Sequence, residues 1–165
     1  MRNFGKIIQP SFWKYNYIFQ TNHSKIIGLN WLNIWKDEVE IKIDNAKYIL
    51  KNTSFWKTSY RLIDEAGENI LELREQFFSP VEIVFNHSGN TYFFKTKNFW
   101  KGEMAWYSSE DSPFLLYKRN GFSIKNSFEF EVLDGKTPDS DIDLLIPLGW
   151  YIIKMKQNRS SAVAQ

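Results

Sequence analysis

The chain of 165 residues contains no cysteine, which excludes disulfide bonds, thiolate metal sites and cysteine nucleophiles together. It has only two histidines, His23 and His87, so a metal cluster or a Ser–His pair would have to recruit one of them from across the fold. Glycine-rich phosphate loops and a nucleophile elbow are also absent from the sequence. We therefore expect no enzyme activity, no cofactor and no metal ion.

An excess of charge of one sign is lacking as well. Lysine and arginine number 21 against 19 aspartate and glutamate residues, and the basic residues form no block. This balance argues against a nucleic-acid partner, which would need an extended basic surface. Residues 1–13 lack the apolar core of a signal peptide, because Lys6, Gln9 and Pro10 interrupt it. We expect a cytoplasmic protein, with a position at the periphery of a membrane left open.

Aromatic residues are abundant, with 14 Phe, 8 Tyr and 7 Trp, enough for one well-packed domain. Most of the chain alternates apolar and polar residues, the pattern of strands that bury one face. Turn residues such as those at 64–68, at 86–90 and at Asn120-Gly121 separate these runs. The sequence predicts ten to twelve short antiparallel strands. The clearest alternations lie at 13–19, 39–44, 71–74 and 128–132.

The exception is residues 142–153, where Asp143 is the only charged residue. Twelve helical residues span only about 18 Å, against about 30 Å of hydrocarbon in a bilayer, so we expect no transmembrane span. A helix that is apolar on every side must be surrounded by protein. The sequence predicts a buried helix at about 139–156, kinked or begun at Pro147, and a disordered tail at 157–165.

Three acidic residues, Asp139, Asp141 and Asp143, alternate where this helix begins. Clustered carboxylates suit Ca²⁺, but the glycine and the distal glutamate of an EF-hand loop are missing. Acidic residues in the first turn of a helix also interact favourably with its dipole. We therefore favour the interpretation that these three aspartates stabilise the start of the helix over the interpretation that they bind a metal ion.

A short motif recurs three times, at separations of 43 and 44 residues: Ser11-Phe12-Trp13-Lys14, Ser54-Phe55-Trp56-Lys57 and Asn98-Phe99-Trp100-Lys101. One interpretation is a duplicated binding element, in which Lys14, Lys57 and Lys101 meet anionic head groups beside the indole rings. The other is chance in an aromatic-rich chain, with tryptophan packed inward and lysine keeping a strand edge soluble. The sequence alone favours the second.

Two segments resemble the tubby-like superfamily, which includes tubby C-terminal domains, phospholipid scramblases and LURP-one-related proteins. In residues 55–71 a Trp is followed by a Tyr, an Asp-x-x-Gly turn and an apolar strand, as in the hairpin of scramblase-like proteins. In residues 128–151 a last strand passes through an acidic linker into the apolar helix. The resemblance implies an all-β fold with one helix: a closed antiparallel barrel of about twelve strands around a central hydrophobic C-terminal helix.

The same resemblance implies a non-enzymatic domain. Tubby domains bind phosphoinositide head groups through basic surface residues, and scramblases are tied to membranes. The chain lacks the cysteine-rich palmitoylated segment and the proline-rich arm of scramblases, which speaks against lipid scrambling. The expected partner is an anionic phospholipid or a protein, with the ligand-binding residues and the oligomeric state left open. The alternative is a lipocalin-like barrel that carries a small apolar ligand, which would require an empty interior.

Overall fold

The computed structural model describes residues 3–11, 14–22, 25–76, 79–108, 111–119, 128–133 and 136–163. Twelve strands precede a single helix. They are β1 (Asn3–Ile8), β2 (Asn16–Gln20), β3 (Ile26–Asn33), β4 (Glu38–Ile43), β5 (Ala46–Asn52), β6 (Ser59–Asp64), β7 (Asn69–Arg74), β8 (Val81–Phe85), β9 (Thr91–Asn98), β10 (Glu103–Tyr107), β11 (Pro113–Arg119), β12 (Phe128–Val132) and the helix α1 (Asp139–Val163).

The strands form a closed antiparallel barrel in which each strand pairs with its neighbours in sequence. Closure is made by β1, which pairs with β2 on one side and with β12 on the other. The prediction of a closed antiparallel barrel of about twelve strands is confirmed. Closure leaves no sheet edge exposed, and an exposed edge is what invites pairing with other chains.

Alternation along the strands decides which side chains face inward. Val39 and Ile41 of β4 are fully buried, and their cross-strand partners Leu50 and Leu29 are buried as well. The turns at 64–68 and 86–90 join β6 to β7 and β8 to β9, with Gly67 and Gly89 at positive φ. The predicted turn at Asn120-Gly121 and the inward position of Trp13 lie outside the described residues.

The helix α1 lies inside this barrel. Between residues 141 and 153 every side chain is buried except that of Asp143, which is partly exposed. Side chains from many strands reach it, among them Tyr17 of β2, Tyr60 of β6 and Trp106 of β10. A helix buried on all sides with partners all around it is a central helix, as predicted.

The helix is longer than predicted. It continues through Pro147 without a break and extends to Val163, so that the tail predicted for 157–165 is helical as far as that residue. Arg159 explains part of this extension: its guanidinium lies 2.7 Å from a carboxylate oxygen of Glu75 and donates to Tyr60 Oη at 3.3 Å. These contacts hold the projecting turns against the barrel. Residues 164–165 lie outside the described part of the chain.

A glycine lets two barrel side chains reach the backbone of the helix. Trp106 Nε1 donates to the carbonyl of Leu145 at 3.0 Å, and Tyr117 Oη donates to that of Ile146 at 2.7 Å. A Cβ atom at Gly149 would lie 2.4 Å from Tyr117 Oη and 2.8 Å from Trp106 Nε1, closer than atoms can pack. The absence of a side chain at Gly149 therefore permits both hydrogen bonds.

We expect Gly149→Ala to destabilise the protein by about 1–3 kcal/mol, although alanine favours helices, because the methyl group overpacks the core. Gly28→Ala is the matched control, since a Cβ there would meet only a backbone oxygen at an ordinary 3.8 Å. Urea unfolding of the two variants measures the difference. Equal midpoints would contradict the packing described for Gly149.

The buried tyrosines provide a second test, at alkaline pH. Burial raises the pKa of Tyr17 and the pKa of Tyr60 to about 12, whereas an unfolded tyrosine has a pKa of about 10. The folded state holds these protons more tightly, so their contribution to stability is complete below pH ~10 and is lost as the pH rises towards ~12. Urea midpoints are expected to fall across that window. Midpoints that stay constant through it would show that these hydroxyls are not buried.

Candidate functional site

The topology sends alternate loops to opposite ends of the barrel. Because every strand is antiparallel to the next, the loops after β1, β3, β5, β7, β9 and β11 share one end. The helix enters from the other end, since it follows β12, and its last turns emerge beside Lys57 and Glu75 in the first set of loops. Loops far apart in sequence are thereby gathered into one surface.

Large aromatic side chains stand exposed on this surface. Five side chains in the loops 34–37, 53–58 and 99–102 are between 80% and 93% exposed, namely Trp35, Phe55, Trp56, Phe99 and Trp100. We call this end of the barrel the aromatic end. Burying such a side chain contributes about 1.5–3 kcal/mol, so leaving five in water at one end is characteristic of an interaction surface.

The three loops share one backbone shape. In each, a backbone N–H returns to a carbonyl three residues earlier: Asp37 to Ile34, Lys57 to Ser54 and Gly102 to Phe99. The last residue of each turn has a φ of 53° to 63°, in the left-handed region. This is the shape of a tight hairpin loop whose central residues project from its tip. The central positions carry four of the five aromatic side chains, and Phe99 is the first residue of its turn, so the backbone itself holds these side chains outward.

Asparagine fixes two of these turns in the same way. Asn33 Oδ1 accepts from the backbone N–H of Lys36 at 3.0 Å, and Asn98 Oδ1 accepts from that of Lys101 at 3.2 Å. The sequences are Asn33-Ile-Trp-Lys-Asp-Glu and Asn98-Phe-Trp-Lys-Gly-Glu. The first of these was not predicted from the sequence to be a copy of the motif.

A spacing signal would have revealed it. Trp35 precedes Trp56 by 21 residues, and Trp56 precedes Trp100 by 44 residues. The first separation is the length of one pair of strands with its loops, and the second is about twice that length. The three tryptophans therefore recur in step with the hairpins. The interpretation in which the motif tryptophans pack inward is wrong for Trp56 and Trp100. The aromatic pair of the copy at 11–14 lies outside the described residues.

Charge differs strongly between the two ends. In the described loops and helix turns of the aromatic end, basic residues outnumber acidic ones. The basic residues are Lys14, Lys36, Lys57, Lys101, Lys154, Lys156 and Arg159, and the acidic residues are Asp37 and Glu75. At the opposite end the excess is acidic: Asp44, Glu65, Glu68, Asp111, Asp139, Asp141 and Asp143 stand against Lys25 and Lys136. The net charge of +2 conceals this polarity.

The lysines of the aromatic loops differ in their partners. Lys57 Nζ lies 3.2 Å from a carboxylate oxygen of Asp37 and donates to the carbonyl of Trp35 at 2.7 Å, tying two of the loops together. Among the described residues, Lys14, Lys36 and Lys101 have no ion-pair partner, and all three are exposed. Of the three lysines in the repeated motif, Lys14 and Lys101 are thus available to an anionic surface, whereas Lys57 is paired with Asp37.

The three aspartates at the helix start do not converge on a metal ion. Asp141 is buried and accepts from Tyr92 Oη at 2.8 Å and from Asn90 Nδ2 at 3.1 Å, while Asp143 pairs with Lys25. His87 lies at the edge of this group, with Nε2 4.0 Å from Asp141. Within the described ranges no three metal-ligating side chains come together. His23 lies outside them.

Comparisons with protein families, with curated proteins and with solved structures find no match to this chain. In the part of the chain that the structure describes, no helix has both the length and the apolar composition needed to cross a bilayer.

The exposed tryptophans should contribute little to folding. We expect Trp100→Ala to change the free energy of unfolding by less than about 0.5 kcal/mol, because the ring packs against little else in the barrel. Trp106→Ala, at a fully buried position on the next strand, is the contrasting variant and should cost about 3–5 kcal/mol. Thermal and urea unfolding measure both. A large loss of stability in Trp100→Ala would assign that ring to the core.

Proposed function

We propose that the chain is a non-enzymatic binding domain that attaches to anionic membrane surfaces through its aromatic end. The observation that carries the proposal is the gathering of five exposed aromatic side chains at the tips of three loops on one end. Tryptophan is favoured at the boundary between lipid and water, because its ring is apolar and its N–H is polar.

Basic residues beside the rings specify the charge of the surface. Lys36 and Lys101 directly follow Trp35 and Trp100, so an inserted ring would bring its neighbouring ammonium group to the level of the head groups. Each lysine near an anionic leaflet contributes about 1 kcal/mol. The acidic opposite end would be repelled by the same leaflet, so the charge polarity orients the barrel with its aromatic end towards the lipid.

The arrangement fits a lipid surface better than a protein partner. The aromatic side chains occupy separate loop tips and are interleaved with lysine, whereas lysine is depleted from the centres of protein interfaces. Separate tips can enter a fluid interface independently, without a complementary shape on the other side. The resemblance to the tubby-like superfamily, whose tubby domains bind phosphoinositide head groups, points in the same direction.

The alternative of a lipocalin-like carrier finds less support. Such a carrier needs space along the barrel axis, and that axis is occupied by α1, whose residues Leu145, Leu148 and Ile152 are fully buried. The surface of the barrel is a better candidate for binding than its interior.

Vesicle sedimentation tests the proposal. The wild-type protein should bind vesicles of phosphatidylcholine mixed with phosphatidylserine or a phosphoinositide more tightly than pure phosphatidylcholine, and more tightly at about 50 mM than at about 300 mM NaCl. Trp56→Ala and Trp100→Ala should each weaken binding roughly tenfold, equivalent to about 1.4 kcal/mol.

Ile26→Ser provides the matched control, because Ile26 is also an exposed apolar residue but lies at the opposite end of the barrel. Its binding should equal that of the wild type. Equal losses in the tryptophan and isoleucine variants, or binding that ignores both salt and anionic lipid, would refute the proposal.

A further inference from the structure

A cavity of about 500 Å³ lies between the C-terminal half of α1 and the barrel wall, open to solvent. Its wall residues place it at the aromatic end: Met104 follows the loop 99–102, Arg119 ends β11 and Phe128 begins β12. This volume is within the usual range of small-molecule sites. It differs from the loop tips described above, because it is a recess between the helix and the strands.

The lining of the cavity is divided between apolar and basic side chains. Met104, Phe128 and Ile153 supply apolar surface, while Arg119, Lys154 and Lys156 supply positive charge. No carboxylate belongs to the described lining. Such a surface matches a molecule that has an acidic group joined to an apolar chain.

Lys154 is the most informative residue of this lining. Its side chain is partly buried, and its Nζ lies 4.9 Å from the centre of the Trp150 ring and 5.9 Å from that of Tyr17. Among the described residues no carboxylate pairs with it, and burial lowers its pKa. Removing a cation from water without a counter-charge is unfavourable, so an arriving anion would recover that cost.

The helix dipole does not explain these lysines. The effect of the dipole is confined to the last turn of a helix, whereas Lys154 and Lys156 precede Val163 by nine and seven residues, and the last turn contains no basic residue. Ser160 and Ser161, which also line the cavity, donate their hydroxyl hydrogens to carbonyls of the helix itself. The ammonium groups of Lys154 and Lys156 and the side-chain amide of Gln157 are therefore donors that this lining offers to a ligand.

We propose that this cavity binds one anionic phospholipid, with its phosphate held by Lys154 and its adjoining acyl segment lying against Met104, Phe128 and Ile153. Lys156 adds positive charge at the other edge of the cavity. The assignment rests on the proposed function, which brings the open mouth of the cavity to the lipid surface. Loop insertion would then supply attachment, and the cavity would supply selection among head groups. Two weak sites that act on the same membrane reinforce one another.

A soluble lipid separates the cavity from the loops. Dihexanoyl phosphatidic acid, used below its micelle concentration, should bind the full chain in calorimetry more tightly than dihexanoyl phosphatidylcholine and more tightly than inorganic phosphate. Lys154→Met, which keeps the length of the apolar stem, should weaken this binding at least tenfold. Lys156→Met, at the other lysine of the lining, should weaken it as well and guards against a folding defect in the first variant.

Lys42→Met is the matched control, since it removes an exposed lysine of β4 that belongs neither to the aromatic loops nor to the lining of the cavity. Its affinity for the soluble lipid should be unchanged. The Trp56→Ala/Trp100→Ala double variant should also bind the soluble lipid normally while losing vesicles. That pattern would separate failure of the loops from failure of the cavity.

Three results would overturn the proposal. Unchanged affinity in both lysine variants, or no binding of the soluble lipid by a wild-type protein that still binds vesicles, would remove the cavity as a site and leave loop docking intact. Inorganic phosphate that binds as tightly as the lipid would identify a phosphate site instead of a lipid site. Lysine-dependent binding of the soluble lipid without any binding to vesicles would support the cavity and refute loop docking.

Discussion

The structure depends on the burial of one apolar helix. Between residues 141 and 153 α1 offers almost no polar side chain to water, so it needs protein on every side. An antiparallel barrel meets that need, because its strands present apolar residues inward and leave no edge unpaired. The polar backbone is also accommodated, because Trp106 and Tyr117 donate to the carbonyls of Leu145 and Ile146 inside the buried part of the helix.

The filled interior leaves the surface of the barrel as the place to look for binding. With α1 along the axis, the recess beside Lys154 and the loop tips are the two places that we propose for it. The simple up-and-down order of strands then determines which loops act together, since only alternate loops share an end. The residues of the two sets of loops give the barrel its polarity. Aromatic and basic residues lie in the loops at one end, and acidic residues lie in the loops at the other end.

Much of the fold could be predicted from the sequence because it is encoded locally. Alternation at 39–44 identifies strands, and the uninterrupted apolar run at 142–153 implies a buried helix. The length of the helix could not be predicted in this way. Residues 157–163 are polar and small, and contacts such as that between Arg159 and Glu75, 84 residues apart, depend on the folded barrel.

The candidate site was less accessible to sequence analysis. The recurrence of the Phe-Trp-Lys motif is visible, but an alternating pattern of strands suggests that a tryptophan packs inward, and only the turn geometry shows that Trp56 and Trp100 point outward. Nothing in the sequence identifies Lys154 as a candidate binding residue, because its partial burial and its lack of a carboxylate partner arise from β2, β12 and the helix together. Membership of the tubby-like superfamily remains a prediction.

The order of elements along the chain also affects how the molecule is made. The strand that closes the barrel, β12, pairs with β1 across more than a hundred residues, and α1 follows it. A chain emerging from the ribosome therefore exposes the inward faces of its strands until the helix is released. Contacts of such long sequence separation form slowly. The protein is accordingly most vulnerable to aggregation before α1 has been synthesised, when its strands exist but its core does not.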